Sequence, residues 1–368
     1  MFKFLKKKIK GGGSSSDRYL KLKIKEVRKE TEDTNTLIFE QPEQGFTYLP
    51  GQFLTLILPI QNEKIRRSYS LCTSPHTDAC PSITVKRVNT GLVSNYLNDH
   101  MKPGDEFEVM TAAGHFVPEL NPENKKKYVF FAAGSGITPI MSIIKSVLAV
   151  EQQSSIHLVY QNRSESAVIF KEELRRLKEA YPGRFDQIDV LSQAQGDWQG
   201  YSGRLDGAMT SDILMDIAGN KVNGSEYYLC GPAAFMQTVY DVLMDFDVPA
   251  RQVHKESFFA DNAAARKETP LEAGTGDEAH LVHIILDGEE FEVNVPANKS
   301  ILEAALDQHI DMPFSCQSGL CTACRGKLLE GDVEMSDDDG LSQEELRQGY
   351  ILNCVSKPTG PGVKIEIG

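Results

Sequence analysis

Residues 316–326 read CQSGLCTACRG, which puts three of the chain's seven cysteines within nine positions. A fourth, Cys354, stands in YILNC with 29 residues between it and Cys324. At 368 residues the chain is long enough for two or three domains of roughly 100 to 200 residues, each with its own core. It is 40% hydrophobic and 25% charged, as soluble globular proteins are, and no apolar run approaches the roughly 18 residues of a membrane span. The opening MFKFLKKKIK carries lysines but neither a long apolar stretch nor a small-residue cleavage site, so it does not read as a secretory signal. The chain therefore reads as cytoplasmic and not transmembrane. In that reducing compartment grouped thiols serve metals or catalysis rather than structural disulfides.

Cys316, Cys321 and Cys324 form C-x4-C-x2-C, and with the distant Cys354 this is the spacing of a plant-type [2Fe-2S] cluster. Three thiolates come from one tight loop, in which Gly319 supplies conformations closed to other residues, and the fourth from a segment folded back over it. The surroundings agree: LVHIILDGEEFEVNV reads as a hairpin turning at Asp287-Gly288, and Ser300 can cap a helix through ILEAALDQ. A structural zinc site is the alternative, but it would show two close Cys or His pairs, and Cys354 has no near partner. The net charge of −13 and a pI near 5.2 argue against nucleic acid as a partner. From Asp287 onward there are sixteen Asp and Glu against six Lys and Arg, a net of −10. Residues 279–368 thus form a distinct acidic domain, preceded by a polar linker, AAARKETPLEAGTGDE, at 263–278. At the other end GGGSSS detaches a lysine-rich head, so 1–16 read as a solubilising tail, with contact to anionic lipid or an acidic partner as the alternative.

A [2Fe-2S] centre moves one electron at a time and needs a source. Residues 128–139, YVFFAAGSGITP, begin as a buried parallel strand, then turn through Gly134 and Gly136 into a helix started by Thr138 and Pro139. That is a phosphate cradle, with bare amides and a helix N-terminus facing the ligand; it lacks the third glycine of the dinucleotide fingerprint, and an ordinary strand-to-helix turn is the alternative. IHLVYQNRSES and EYYLCGPAAFM repeat the strand-helix pattern, so residues 123–262 read as a doubly wound α/β domain with a parallel sheet. Residues 17–122 differ. The runs LKLKIKEV, NTLIFE, FLTLILPI, SITVKRV and EFEVM, with turns at Pro-Gly pairs, predict an antiparallel β-barrel. Within it, Arg67 of RRSYSLCTSP can hold a pyrophosphate as a fork of donors, while Tyr69 and Ser70 can present a ring and a hydroxyl to a flat cofactor. A solvated arginine on a barrel strand is the plain alternative.

Together and in order, the R-S-Y-S run, the G-L-V-S-N segment, the A-A-G-S-G-I-T-P turn and the C-G-P turn resemble the ferredoxin-NADP reductase superfamily. With a C-terminal ferredoxin domain of β-grasp-like α+β type, the chain is similar to the reductase subunits of oxygenases such as phenylacetyl-CoA epoxidase, to phenol-hydroxylase-like reductases and to flavohaemoprotein reductases. The resemblance runs from about residue 17 onward. It implies a flavoprotein in which Arg67, Ser68, Tyr69 and Ser70 hold FAD, with Ser70 near the flavin N5, and Gly91, Val93 and Ser94 line the FAD pyrophosphate. Gly134, Gly136, Ile137 and Thr138 would receive the nicotinamide dinucleotide, and Cys230, Gly231 and Pro232 would lie beside its ring. Ser70 and Cys230 are then the catalytic candidates, although Cys230 also reads as a small core residue. Phe258 or Phe259 would take the place of the aromatic that stacks on the flavin. Cys316, Cys321, Cys324 and Cys354 are implied as the metal ligands; Gln317 and Ser318 replace the Arg and Ala that plant ferredoxins favour.

After IHLVY the chain offers Gln161, Asn162, Arg163 and Ser164, with no acid before Glu165, which favours the 2′-phosphate of NADPH over NADH, with Arg163 and Ser164 as its binding residues. The expected function is an NAD(P)H oxidoreductase passing electrons through FAD and the cluster to a partner oxygenase that meets the acidic domain with a basic docking patch. A ferredoxin reductase serving a soluble carrier, desaturase or hydroxylase, and a redox-sensing regulatory protein, are the alternatives.

Overall fold

The structure, a computed structural model, describes residues 19–42, 45–61, 63–258, 279–314, 316–317, 319, 321–337, 340–341 and 343–367. The expected tail, the linker, Phe259 and Ser318 lie outside the described residues. The chain divides into two compact units, one of which is Lys21–Arg266.

That unit opens with β1 (Tyr19–Thr31), β2 (Thr34–Phe39), β3 (Phe53–Ile60), β4 (Glu63–Ser70), β5 (Ser82–Lys86) and β6 (Glu106–Met110), ordered β4-β3-β6-β1-β2-β5 in one sheet. A bridge between Leu71 and Ile83 joins the continuation of β4 to β5 and closes the barrel. β3, FLTLILPI, is buried at every position but one, because both its neighbours and the barrel interior cover it. Helix α1 (Leu92–His100) lies between β5 and β6, where the sequence reading assigns no helix.

Six parallel strands follow: β7 (Lys127–Ala133), β8 (Ser155–Asn162), β9 (Phe185–Leu191), β10 (Tyr201–Ser202), β11 (Glu226–Cys230) and β12 (Val253–Glu256), in the order β10-β9-β8-β7-β11-β12. Helices α2 (Ile137–Val150), α3 (Lys171–Ala180), α4 (Gly207–Ala218) and α5 (Ala233–Asp245) cover its faces. Alternate residues of β7 serve separate cores: Tyr128 and Phe130 pack with α2, Val129 and Phe131 with α4 and α5. The strand order reverses at β7 and β11, and a ligand crevice forms outside the carboxyl ends of the strands at such a reversal. α2 begins at Ile137, one residue before the expected Thr138.

α2 also ties this sheet to the barrel. The Ser142 hydroxyl donates to the Thr73 carbonyl at 2.6 Å, Ser146 Oγ to Ser74 Oγ at 2.8 Å, and Lys145 Nζ stands 2.7 Å from both an Asp78 and a Glu173 carboxylate oxygen.

The C-terminal unit holds a five-stranded sheet, β14-β13-β19-β15-β17, in which β13 (His280–Leu286) and β14 (Glu289–Val295) form a hairpin and β13 runs parallel to β19 (Val363–Ile367). The hairpin turns at Asp287 and Gly288, with φ of 54° and 82°. α6 (Ile301–Asp307) packs on the sheet and starts with a capping box between Ser300 and Glu303. β15 (Arg325–Glu330), β16 (Val333–Met335), α7 (Gln343–Arg347), β17 (Tyr350–Leu352) and β18 (Ser356–Pro358) complete it. Among the described residues no helix is long and apolar enough to cross a membrane.

Candidate functional site

A cavity of about 320 Å³ lies in the first unit. Its wall is made by Arg67, Ser68, Tyr69 and Ser70 of β4, Gly91, Val93 and Ser94 at the start of α1, Thr138 of α2, and Phe258. These nine expected residues come from four separate stretches of sequence. Thr84, Lys86, Val88, Leu92 and Ser135 also line it, and the sequence reading does not include them. Leu92 and Ser135 fall inside the G-L-V-S-N and A-A-G-S-G-I-T-P segments, whereas Thr84 and Lys86 arrive through nonlocal pairing, since β5 sits beside β2 and carries them to the cavity. Nothing local in β5 signals this, since only the closed barrel decides which strand end faces the cavity.

The cavity suits an elongated anionic ligand with a flat apolar part. Arg67 and Lys86 bring positive charge, and burial lowers the Lys86 pKa while Asp33, 3.8 Å away, opposes that. α1 starts at Gly91 without a side-chain cap or an acid in its first turn, so its amides stay available to a phosphate. A Cβ on Gly91 would come within 2.7 Å of Ser94 Oγ and 2.9 Å of Val88 Cβ, and Ser94 Oγ in turn accepts from the Val88 amide at 3.0 Å. Only glycine allows this tight start. Burial pushes the Tyr69 hydroxyl well above its usual pKa, so it stays a neutral ring with a polar tip. Ser70 is buried at the cavity wall, and Phe258 is 38% exposed.

Gly134, Gly136, Ile137, Cys230, Gly231 and Pro232 do not line that cavity; they meet where β7 and β11 end. A Cβ on Gly136 would stand 2.0 Å from the Cys230 carbonyl oxygen, and one on Gly231 would stand 2.9 Å from Ala133 Cβ. Two backbone turns thus pass at the closest approach glycine permits. Gly134, with φ of 54°, turns the chain out of β7 with nothing within 4 Å of its side-chain position, leaving open room for a ligand. Cys230 is fully buried, and burial holds its thiol protonated, so it is no thiolate nucleophile.

Arg163 and Ser164 follow β8. Arg163 is not a free cation awaiting a phosphate: its Nη2 lies 3.2 Å from Asp33 Oδ2 in the β1–β2 turn. Ser164 Oγ bonds Ser166 Oγ at 3.0 Å.

In the C-terminal unit the four expected cysteines come together. The Cys354 thiol hydrogen-bonds with Cys316 and Cys324, the Cys321 thiol with Cys316, and these bonds with burial push Cys321 and Cys354 far above a free thiol. Such convergence of four soft donors matches an iron-sulfur cluster, whose positive irons would hold all four as thiolates. Gly319 has φ of 79°, and a Cβ there would meet Asp337 Cβ at 2.8 Å. Beside the ligands, fully buried Asn353 donates twice to the Cys324 carbonyl, from its backbone amide at 3.2 Å and from Nδ2 at 2.9 Å. Arg325, next to Cys324, pairs with Glu345 and lies 4.7 Å over the Tyr350 ring. Nothing local in the sequence marks either Asn353 or Arg325.

Comparison with known proteins fixes the class. Residues 21–117 match the oxidoreductase FAD-binding domain, 130–241 the oxidoreductase NAD-binding domain and 284–359 the 2Fe-2S iron-sulfur cluster binding domain, so this is a flavin- and iron-sulfur-dependent NAD(P)H oxidoreductase. The chain is 38% identical over 358 residues to the ferredoxin reductase component of 3-ketosteroid-9-alpha-monooxygenase from Rhodococcus rhodochrous, covering 94% of this chain and 96% of that one. It is 32% identical over 352 residues to a subunit of 1,2-phenylacetyl-CoA epoxidase from Escherichia coli strain K12, with the same coverages. Phthalate dioxygenase reductase, a solved structure, matches with a TM-score of 0.60 at 26% identity, over 96% of this chain and 99% of that one. The chain belongs to this family of multidomain reductase components.

Proposed function

We propose that this protein is the reductase component of an oxygenase, drawing electrons from NADPH and delivering them to the oxygenase through FAD and a [2Fe-2S] cluster. The observation that carries it is the shared cavity, in which the β4 run, the start of α1 and the start of α2 form one wall. The bound groups would supply the conversion of one hydride into two single-electron transfers.

The chain's own part is binding, orientation and electrostatics. Arg67, Lys86 and the N-terminus of α1 would neutralise the FAD pyrophosphate, while Tyr69 and Phe258 offer rings to the flavin. The Ser70 hydroxyl, buried at the wall, would hydrogen-bond at the N5 edge. The Gly134–Gly136 turn would seat the dinucleotide phosphates, with Thr138 beside them, and the Cys230–Pro232 turn would back the nicotinamide. Cys230 acts by shape, since its thiol stays neutral. Cys316, Cys321, Cys324 and Cys354 would hold the cluster. The oxygenase, not this chain, selects the final substrate; its docking surface would be basic, to complement a domain with a net charge of −10 from Asp287 onward.

Cys354→Ser tests the path. We expect NADPH-driven reduction of ferricyanide, which can draw from the flavin, to persist, and reduction of a one-electron protein acceptor to be lost. Retention of both activities in a variant lacking the cluster would contradict the order of carriers.

A further inference from the structure

We infer that Asp33, in the barrel, sets the coenzyme preference by competing with the 2′-phosphate of NADPH for Arg163, an inference that rests on the assignment of Arg163 above. The pair spans 130 positions of sequence and joins the barrel to the nucleotide-binding sheet.

The carboxylate is held ready for this. Thr31 and Thr34, 8% and 1% exposed, each donate a hydroxyl to Oδ1, at 2.8 and 3.0 Å. With Oδ1 occupied, Oδ2 is the atom presented to the cations: Arg163 Nη2 at 3.2 Å and Lys86 Nζ at 3.8 Å. Burial opposes the charge on Asp33, but these hydroxyls and cations outweigh it and hold the carboxyl below its usual pKa.

The Arg163 backbone is also fixed. Its carbonyl accepts from the Gln193 amide at 2.8 Å and the Asn162 carbonyl from Ser192 at 2.9 Å. At the far end of the loop Phe170 adopts φ of 61°, costly for a bulky residue, and its amide donates to the Glu30 carboxylate of β1. The loop is therefore held to the end of β9 on one side and to the barrel on the other, while the Arg163 side chain, 64% exposed, has room to exchange partners. A 2′-phosphate must take the guanidinium from a carboxylate already in place, whereas NADH asks nothing of it. The barrel, which holds the flavin, thereby also sets the discrimination between coenzymes.

The test is a cycle of Asp33→Asn, Arg163→Ala and the double variant in the holoenzyme, measuring KM for NADPH and NADH, and the Kd of 2′-AMP by calorimetry as a readout independent of turnover. The asparagine amide oxygen keeps the acceptor for the two threonines while removing the charge. Asp33→Asn should lower the NADPH KM and the 2′-AMP Kd by about 2- to 5-fold, the range of a partly exposed ion pair, and leave the NADH KM unchanged. Arg163→Ala should raise the NADPH KM by about 10- to 100-fold and abolish the effect of Asp33→Asn. If Arg163→Ala weakens NADPH but Asp33→Asn does nothing, or acts equally in the Arg163→Ala background, the competition is refuted while the role of Arg163 stands. If Arg163→Ala changes neither coenzyme nor 2′-AMP, the assignment of Arg163 falls, and the competition with it.

Discussion

Gly136→Ala probes the closest approach in the nucleotide-binding crevice. The added methyl would stand 2.0 Å from the Cys230 carbonyl oxygen, 2.5 Å from its carbon and 3.0 Å from the Gly231 amide nitrogen. Carbon needs roughly 3.5 Å to a non-bonded neighbour, so the turn or the β11 end must move by more than about 1 Å. β7 and β11 pair in register from Glu226 with Tyr128 to Cys230 with Ala132, so the Gly134–Gly136 turn is the part that yields. Overpacking of this kind costs about 1–3 kcal/mol. At roughly 2–4 °C per kcal/mol for a unit of this size, the first unit should melt about 2–12 °C lower. A displacement near 1 Å at a hydride-transfer geometry is worth roughly 100-fold in rate. Stopped-flow bleaching of the flavin by NADPH should therefore slow about 100-fold, with flavin and iron content intact and dithionite still reducing both centres. A variant with wild-type bleaching rate and melting temperature would show that the contact of Gly136 with the Cys230 carbonyl does not set the crevice geometry.

Further outcomes follow from the same structure. Ser70→Ala should keep its flavin yet reduce it about 2- to 10-fold more slowly, the worth of one neutral hydrogen bond, as read by the same stopped-flow assay. Asn353→Ala should lose its cluster to a chelator about 10- to 100-fold faster, with unchanged far-UV circular dichroism; equal loss rates would remove Asn353 from the cluster's support. Glu226 accepts from His254, which holds its carboxyl below the usual 4.5. That lowered pKa contributes stability above about 4.5, lost as pH falls through the folded-state value, so Glu226→Gln should flatten the acid limb of the Tm–pH curve by up to about 4 °C.

Much of this architecture is legible in sequence because it rests on local rules. Asp287-Gly288 turns a hairpin through positive φ, Ser300 and Glu303 close a capping box, and the Cys316–Cys324 spacing folds three thiols into one loop. The barrel strands are readable from their β-rich runs, and YVFFAAGSGITP from its strand-to-helix turn. α1 is not, since Gly91 brings no side-chain cap and LVSNYLNDH is largely polar. Lys86 and Asn353 are equally silent in the sequence: pairings between distant strands decide their surroundings. Arg163 stands out as an arginine after β8, but its ion-pair partner, 130 residues earlier, belongs to a different domain and leaves no local trace.

Electrons should follow a single path from nicotinamide through flavin to cluster. An anaerobic titration of the purified protein with NADPH and then NADH, following flavin and iron-sulfur absorbance together with EPR, tests it most directly. We expect flavin bleaching followed by the EPR signal of a reduced [2Fe-2S] centre, at lower coenzyme concentration with NADPH. A cluster without flavin, or a flavin that stays oxidised under excess coenzyme, would contradict it.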